Sequence, residues 1–230
     1  MLSQRLLTIA EMILKGEATA DIGADHGFLT RFLAEKGLAP RVIASELADG
    51  PYRRLKACLK DSPCGDLIEI RQGDGLAILN PGEVTNVVIA GLGGEAIVRI
   101  IAADYDKARS FQHFVFQPMS RAEVLRKELC QQGWPIIEEK VLEENGRFFV
   151  VLSAIPGSNP YILAPLEIDI GPLLLRSTTE LNIRYLRKCL HKYRMTYAGL
   201  IKSNKEENLV KLYEYQDKIR QLEAILRDKS

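Results

Sequence analysis

The residues with the clearest chemical potential stand in one acidic loop, Asp21-Ile22-Gly23-Ala24-Asp25-His26-Gly27. It closes a short apolar run, Thr19 to Ile22, and leads into a helical pattern near Leu29. Glycine loops that cradle pyrophosphate offer backbone N–H groups at a helix N-terminus and keep carboxylates away. This loop has the opposite electrostatics: two carboxylates around one glycine suit a cationic ligand. The architectural alternative is a plain strand-to-helix turn with an aspartate cap.

Two more acids weigh against a plain turn. Glu46 ends the next apolar run, VIASE, 25 residues after Asp21, near the distance at which an acid holds ribose hydroxyls. Asp74, within Gln72-Gly73-Asp74-Gly75 after the third run, is placed to accept a hydrogen bond from an adenine amino group. Carboxylates at three successive strand ends outline a site for a ligand with an adenosine, an α-amino group and a sulfonium, namely S-adenosylmethionine.

The fourth run, NVVIAGLGGEA, adds Gly91, Gly93 and Gly94, where backbone can pass close to a ligand or simply turn. Gln117-Pro118 follows the fifth run and is either a turn or a substrate contact. The Asn-Pro-Pro-aromatic or Asp-Pro-Pro-aromatic cluster of enzymes that methylate exocyclic amines is absent, which disfavours N6 or N4 chemistry. His26 reads as a general base or as a hydrogen bonder in the cofactor pocket. Phe28, Phe116 and Met119 are stacking candidates for a base, or core residues.

The elements that must position these residues follow from periodicity. An amphipathic opening helix, Ser3 to Leu14, precedes apolar runs at Thr19 to Ile22, Arg41 to Ser45, Ile68 to Arg71, Val84 to Ala90, His113 to Phe116, Ile136 to Glu143 and Phe148 to Ala154. Helical patterns fall at Leu29 to Lys36, Pro51 to Lys60, Gly75 to Leu79, Gly94 to Asp104 and Arg121 to Gln132. Such alternation predicts a parallel sheet covered on both faces. The last two runs are joined by Glu144-Asn145-Gly146-Arg147, and Asn-Gly predicts an antiparallel hairpin. A parallel sheet ending in such a hairpin is the α/β, Rossmann-like, seven-stranded arrangement of class I methyltransferases. The Pro-rich stretch 156–172 reads as a linker. Beyond it, spacings of three and four from Leu181 to Leu200 and from Leu209 to Ile225 predict a coiled-coil-like helical hairpin, with its turn at Lys202 to Asn208.

Composition narrows the class. The 230 residues are 47% hydrophobic and 27% charged, an ordinary balance that excludes a disordered or collagen-like chain. No apolar run reaches the roughly 18 residues of a membrane span, so a cytoplasmic protein is expected. Cys58, Cys64, Cys130 and Cys189 form no C-x-x-C pair and lack histidines at ligand spacing, which argues for reduced thiols and no metal. The net charge of +1 hides an asymmetry: 13 Lys and Arg stand against 7 Asp and Glu from Arg176 to Ser230. Arg184, Arg187, Lys188, Lys192 and Arg194 are the densest cluster. A basic helical arm beside an acidic domain fits an RNA grip; a solvated coiled-coil face is the alternative.

DIGADH, ASEL, RQGDGLAIL, VVIAGLGG, FQPM and EENGRFFVVL together resemble the bacterial tRNA (adenine-N1)-methyltransferase family that acts on adenine 22. The likeness spans nearly the whole chain. Where the family pattern is close to DIG-[ST]-DHAYLP, IAGMGG and QPN, this sequence has Ala24, Gly27-Phe28-Leu29-Thr30, Leu92 and Met119. The resemblance implies methyl transfer from S-adenosylmethionine to N1 of adenine in tRNA. It implies cofactor contacts by Asp21, Gly23, Asp25, His26, Glu46, Gly73, Asp74, Gly75, Ala90, Gly91 and Leu92. It places tRNA contacts at Gly93, Gly94, Gln117, Pro118 and the basic cluster of the arm, with Gln117 and His26 nearest the chemistry. The domains expected are 1–155, a cofactor-binding methyltransferase domain; 156–172, the linker; and 173–230, a tRNA-binding hairpin, in a monomer or weak homodimer. The competing readings are a class I methyltransferase for another RNA base, small molecule or protein, and a non-catalytic RNA-binding protein that kept the fold. A nicotinamide-dependent oxidoreductase would need the phosphate-friendly glycine loop that is missing.

Overall fold

The computed structural model describes residues 2–203 and 208–229, so most of the turn expected at Lys202 to Asn208 lies outside it. Seven strands form: β1 (Thr19–Ile22), β2 (Val42–Glu46), β3 (Ile68–Gln72), β4 (Asn86–Gly93), β5 (His113–Ser120), β6 (Ile136–Glu144) and β7 (Arg147–Ala154). They make one sheet in the order β3-β2-β1-β4-β5-β7-β6. β1 to β5 are parallel, and β7 runs antiparallel to both β5 and β6. Asn145 and Gly146 take φ of 51° and 72°, the left-handed pair whose twist suits a two-residue hairpin. The expected seven-stranded sheet and closing hairpin are therefore present.

Helices α1 (Gln4–Met12), α2 (Phe28–Glu35), α3 (Asp49–Leu59), α4 (Gly94–Ala102), α5 (Tyr105–Ala108) and α6 (Ala122–Gln131) cover the sheet. The two-residue period of a strand sorts its side chains between two cores. Val87, Ile89, Phe114 and Phe116 join Ile97 and Ile101 of α4 and Leu125 and Leu129 of α6. Val88 and Val115 join Ile9 and Met12 of α1 and Leu29 and Leu33 of α2. Behind α6, Arg126 Nε donates to Glu139 Oε1 of β6 at 2.8 Å, with both side chains fully buried. The helical pattern at Gly75 to Leu79 is a 3₁₀ turn, Gly75–Ile78. The short α5, capped by Asp104 accepting from the Lys107 N–H, has too few residues to show periodicity.

β1 lies between β2 and β4, so the chain leaves it in opposite directions along the sheet. Ligands of open α/β sheets bind at such a switch point, outside the C-terminal strand ends. That edge carries Asp21, Glu46, Ala90 and Gln117.

The chain divides into two compact units, Met1–Ile162 and Leu163–Ser230. The expected linker 156–172 is more ordered than its prolines suggest. In the first unit, the Tyr161 N–H donates to the Cys130 carbonyl at 3.1 Å and its hydroxyl to the Trp134 carbonyl at 3.0 Å. In the second, α7 (Pro165–Ile170) and α8 (Pro172–Arg176) each open on a proline. Proline is well tolerated in a first helical turn, where its missing N–H has no intrahelical partner to lose. Two of the four prolines read as breakers are thus helix starters. α9 (Glu180–Ser203) and α10 (Leu209–Asp228) follow and pack on each other as the expected hairpin, with Arg194 Nη2 at 2.8 Å from Glu223 Oε1. Asp169 of α7 pairs with Lys218 at 2.7 Å and accepts from the Tyr193 hydroxyl at 3.1 Å. Among the described residues no helix is long and apolar enough to cross a membrane.

Candidate active site

A cleft of about 940 Å³ opens at the C-terminal edge of β1, β2, β4 and β5. Its inner end is acidic. Asp21 is buried, and Thr30 Oγ1 donates to its Oδ2 at 2.7 Å. Burial pushes the Asp21 pKa up to about 6; the Thr30 hydrogen bond opposes the rise and the charge of Glu46 adds to it. A carboxylate held this reluctantly ionised gains most from a cation placed beside it.

Asp25 adopts φ 51°, a left-handed conformation that aspartate tolerates better than most residues. Its N–H donates to Glu46 Oε1 at 2.6 Å, which ties the β1 loop to the end of β2. Glu46 Oε2 accepts no hydrogen bond among the described residues. The exposed Asp25 carboxylate lies 3.5 Å from Arg54 and 3.8 Å from His26. His26 stacks on Phe28 with ring centroids 5.4 Å apart and approaches Cys58 Sγ at 3.8 Å.

The opposite wall is the end of β4. The β4–β5 register shifts between Ala90 and Leu92, and Gly91, at φ 77°, turns its N–H to Gln117 Oε1 at 3.2 Å. The buried Gln117 amide also donates to the Pro118 carbonyl at 3.2 Å. Both ends of this amide are occupied by backbone, so Gln117 shapes the Ala90–Leu92 wall.

The cleft thus brings together Asp21, Gly23, Asp25, His26, Glu46, Ala90, Gly91, Leu92 and Gln117, with Phe28 and Met119. Several expected residues fall elsewhere. Gly73, Asp74 and Gly75 do not line it; the Gly73 N–H bonds the Glu46 carbonyl at 3.0 Å, and Asp74 is exposed beyond the end of β3. Gly93 and Gly94 serve the docking of α4, since a Cβ on Gly94 would stand 2.1 Å from the Arg121 carbonyl oxygen. Pro118 is buried, and Phe116 is a core ring stacked on Phe114 at 5.5 Å. The outer end of the cleft was not anticipated: Leu2, Arg5 and Leu6 reach it from the start of the chain, and Arg31, Phe32 and Glu35 from α2. Their pattern reads only as amphipathic helix, and nothing local marks the face that borders a cleft.

In the second unit, Arg184, Arg187, Lys188, Lys192 and Arg194 are all exposed on α9. Spacings of three and four put the first four on one side, away from buried Leu186, Leu190 and Tyr193. Among the described residues no group of three or more His, Cys, Asp or Glu side chains could hold a metal ion.

A family model described as a methyltransferase domain matches residues 2–152. The tRNA (adenine(22)-N(1))-methyltransferase of Bacillus subtilis (strain 168) is 32% identical over 98% of this chain and 97% of its own. The crystal structure of the B. subtilis M1A22 tRNA methyltransferase TrmK superposes with a TM-score of 0.87 at 31% identity, covering 98% of this chain and 99% of that one. A Streptococcus pneumoniae structure, described as a putative tRNA (m1A22) methyltransferase in complex with S-adenosyl-L-methionine, gives a TM-score of 0.84 at 27% identity over 98% and 100% of the two chains.

Proposed function

The chain belongs to the methyltransferase-domain family and, within it, to the tRNA (adenine(22)-N1)-methyltransferases, and from that premise we propose how its cleft carries out the reaction. The enzyme transfers a methyl group from S-adenosylmethionine to N1 of adenine in tRNA, adenine 22 being the position named for its relatives. The meeting of Asp21, Asp25 and Glu46 at the inner end of one cleft is the observation that carries the residue assignments. Asp21 and Asp25 suit an ammonium and a sulfonium and Glu46 suits ribose hydroxyls, and the cleft volume of about 940 Å³ lies within the usual range for small-molecule sites, roughly 300–1,000 Å³.

When bound, S-adenosylmethionine supplies an electrophilic methyl group on a sulfonium. Glu46 holds ribose hydroxyls through its second oxygen, and Asp21 and Asp25 face the cationic portion. The N1 lone pair of adenine is available at neutral pH, so no general base is required and positioning supplies much of the rate. Positive charge spreads from N1 toward the exocyclic amine as the methyl arrives, and the carbonyls of Ala90 to Leu92 are the nearby acceptors that stabilise it. Gln117 acts by fixing that wall, and His26 by supporting Phe28 beside the base. The basic face of α9 binds tRNA backbone, a role supported by its charge and exposure.

Incubation with methyl-labelled cofactor and an unmodified tRNA transcript tests the reaction. Label is expected in 1-methyladenosine, with a primer-extension stop at position 22 that disappears when adenine 22 is replaced by guanine. Label at another atom, or none in any tRNA while cofactor still binds, refutes it.

A further inference from the structure

We propose that the outer end of the cleft holds a phosphate subsite centred on Arg5, which takes a backbone phosphate of the RNA beside the target adenosine. The proposal rests on the tRNA methylation reading above and names the group that seats the substrate. The cleft lining is charged unevenly: Asp21, Asp25 and Glu46 come from the strand ends, and Arg5, Arg31 and Glu35 come from α1 and α2. Arg31 is neutralised by Glu35, 3.0 Å away. Arg5 is half-buried, and no carboxylate among the described residues lies within ion-pair distance of it. Its guanidinium lies over the Phe149 ring, 5.5 Å from the centroid, and donates from Nη1 to Met119 Sδ at 3.1 Å.

Those partners orient the group without matching its charge. A guanidinium carries five N–H donors in a planar fork, whereas a thioether is a weak acceptor; an aromatic face offsets part of the cost of withdrawing a cation from water. The capacity left over is that of a bidentate site for an oxyanion, and phosphate fits the fork. Met119 Sδ also lies 3.6 Å from Gln117 Nε2, so the residue that holds Arg5 is continuous with the wall flanking the reaction. Exposed Phe28 and Met119 stand in the same cleft to flank a base. A cationic cofactor at the acidic end and an anionic nucleotide at the basic end would each find the charge that suits it.

The test is steady-state methylation of full-length tRNA at several salt concentrations with Arg5→Gln, Arg5→Met and Arg5→Lys. Loss of one charge-assisted phosphate contact is expected to raise KM for tRNA about tenfold in the Gln and Met variants. It should also reduce the slope of log KM against log salt by about 0.7 to 1. Arg5→Lys should keep the slope and recover part of the affinity, and the Kd for S-adenosylmethionine should be unchanged in all three. Arg5→Met keeps an unbranched stem over Phe149, so the slope can be read even if the Gln variant does not fold. An unchanged salt slope in the charge-free variants overturns the proposal, whether kcat falls or not, because a packing role alone does not release counterions. Failure of the methylation reading would look different: the wild-type enzyme would leave tRNA unlabelled, and the same slopes, taken from direct tRNA binding, would still decide on Arg5.

Discussion

At Asp21, fold stability and the proposed cofactor role pull in opposite directions. Its ordinary pKa of 3.8 is raised to about 6 by burial, so the folded state keeps a proton that the unfolded chain releases between those values. Stability therefore falls as pH rises through that window, and the full cost is present above pH 6. A shift of about two units corresponds to something on the order of 3 kcal/mol. Asp21→Asn keeps an oxygen for the Thr30 hydroxyl and cannot ionise. It is expected to raise the melting temperature of the free enzyme at pH 7 and to leave it nearly unchanged near pH 4, as calorimetry at the two pH values would show. Cofactor binding should move the other way. In the wild type, affinity for S-adenosylmethionine should weaken as pH drops below about 6, because the cation favours ionised Asp21; in Asp21→Asn it should be weak and flat with pH. A titration from pH 5 to 8 in which the variant matches the wild type would remove Asp21 from the cofactor site.

Between elements, the informative contact is the one joining α6 to β6. Arg126 and Glu139 are both fully buried, at 2.8 Å, and burying the pair is expensive unless both members are present. Arg126→Met withdraws the guanidinium from a buried carboxylate and is expected to cost about 3–5 kcal/mol in urea unfolding. Arg126→Met with Glu139→Leu should recover most of that loss; a double variant as unstable as the single one would mean that packing, not charge, dominates there. The pair was silent in the sequence, where both residues look like ordinary surface charges of a helix and a strand. What was legible was local. Short apolar runs marked the strands, Asn145-Gly146 marked the hairpin, and acids at or just after strand ends marked Asp21, Asp25 and Glu46, which line one cleft. What was not legible depends on which distant atom comes close. Gly94 announces a close approach, but the neighbour is the Arg121 carbonyl and not a ligand. Pro165 and Pro172 announce a break in the chain, yet each begins a helix. Arg5 reaches the cleft because α1 packs beside α2, β6 and β7, a placement fixed by tertiary structure alone.

At the scale of the whole molecule, charge is segregated by unit. Met1–Ile162 carries 18 Lys and Arg against 21 Asp and Glu, and Leu163–Ser230 carries 13 against 9. The excess is sharper still within the hairpin. α9 holds six Lys and Arg and one acid, Glu180, whereas α10 holds four of each sign. Generic solubility would need no such division between two helices of one hairpin. A backbone-binding face would, because phosphate affinity comes from charge concentrated on one surface. We therefore expect the double substitution Arg187→Glu with Lys192→Glu to raise the Kd for tRNA by at least tenfold at moderate salt and to lower its salt slope by about 2. Lys211→Glu with Arg220→Glu, an equal change of net charge on α10, should shift Kd by less than about threefold. Neither pair should alter S-adenosylmethionine binding, because the residues proposed for it all lie in the first unit. Equal losses from the two double variants would show that tRNA responds only to net charge, and α9 would then be a solvated face and not a binding surface.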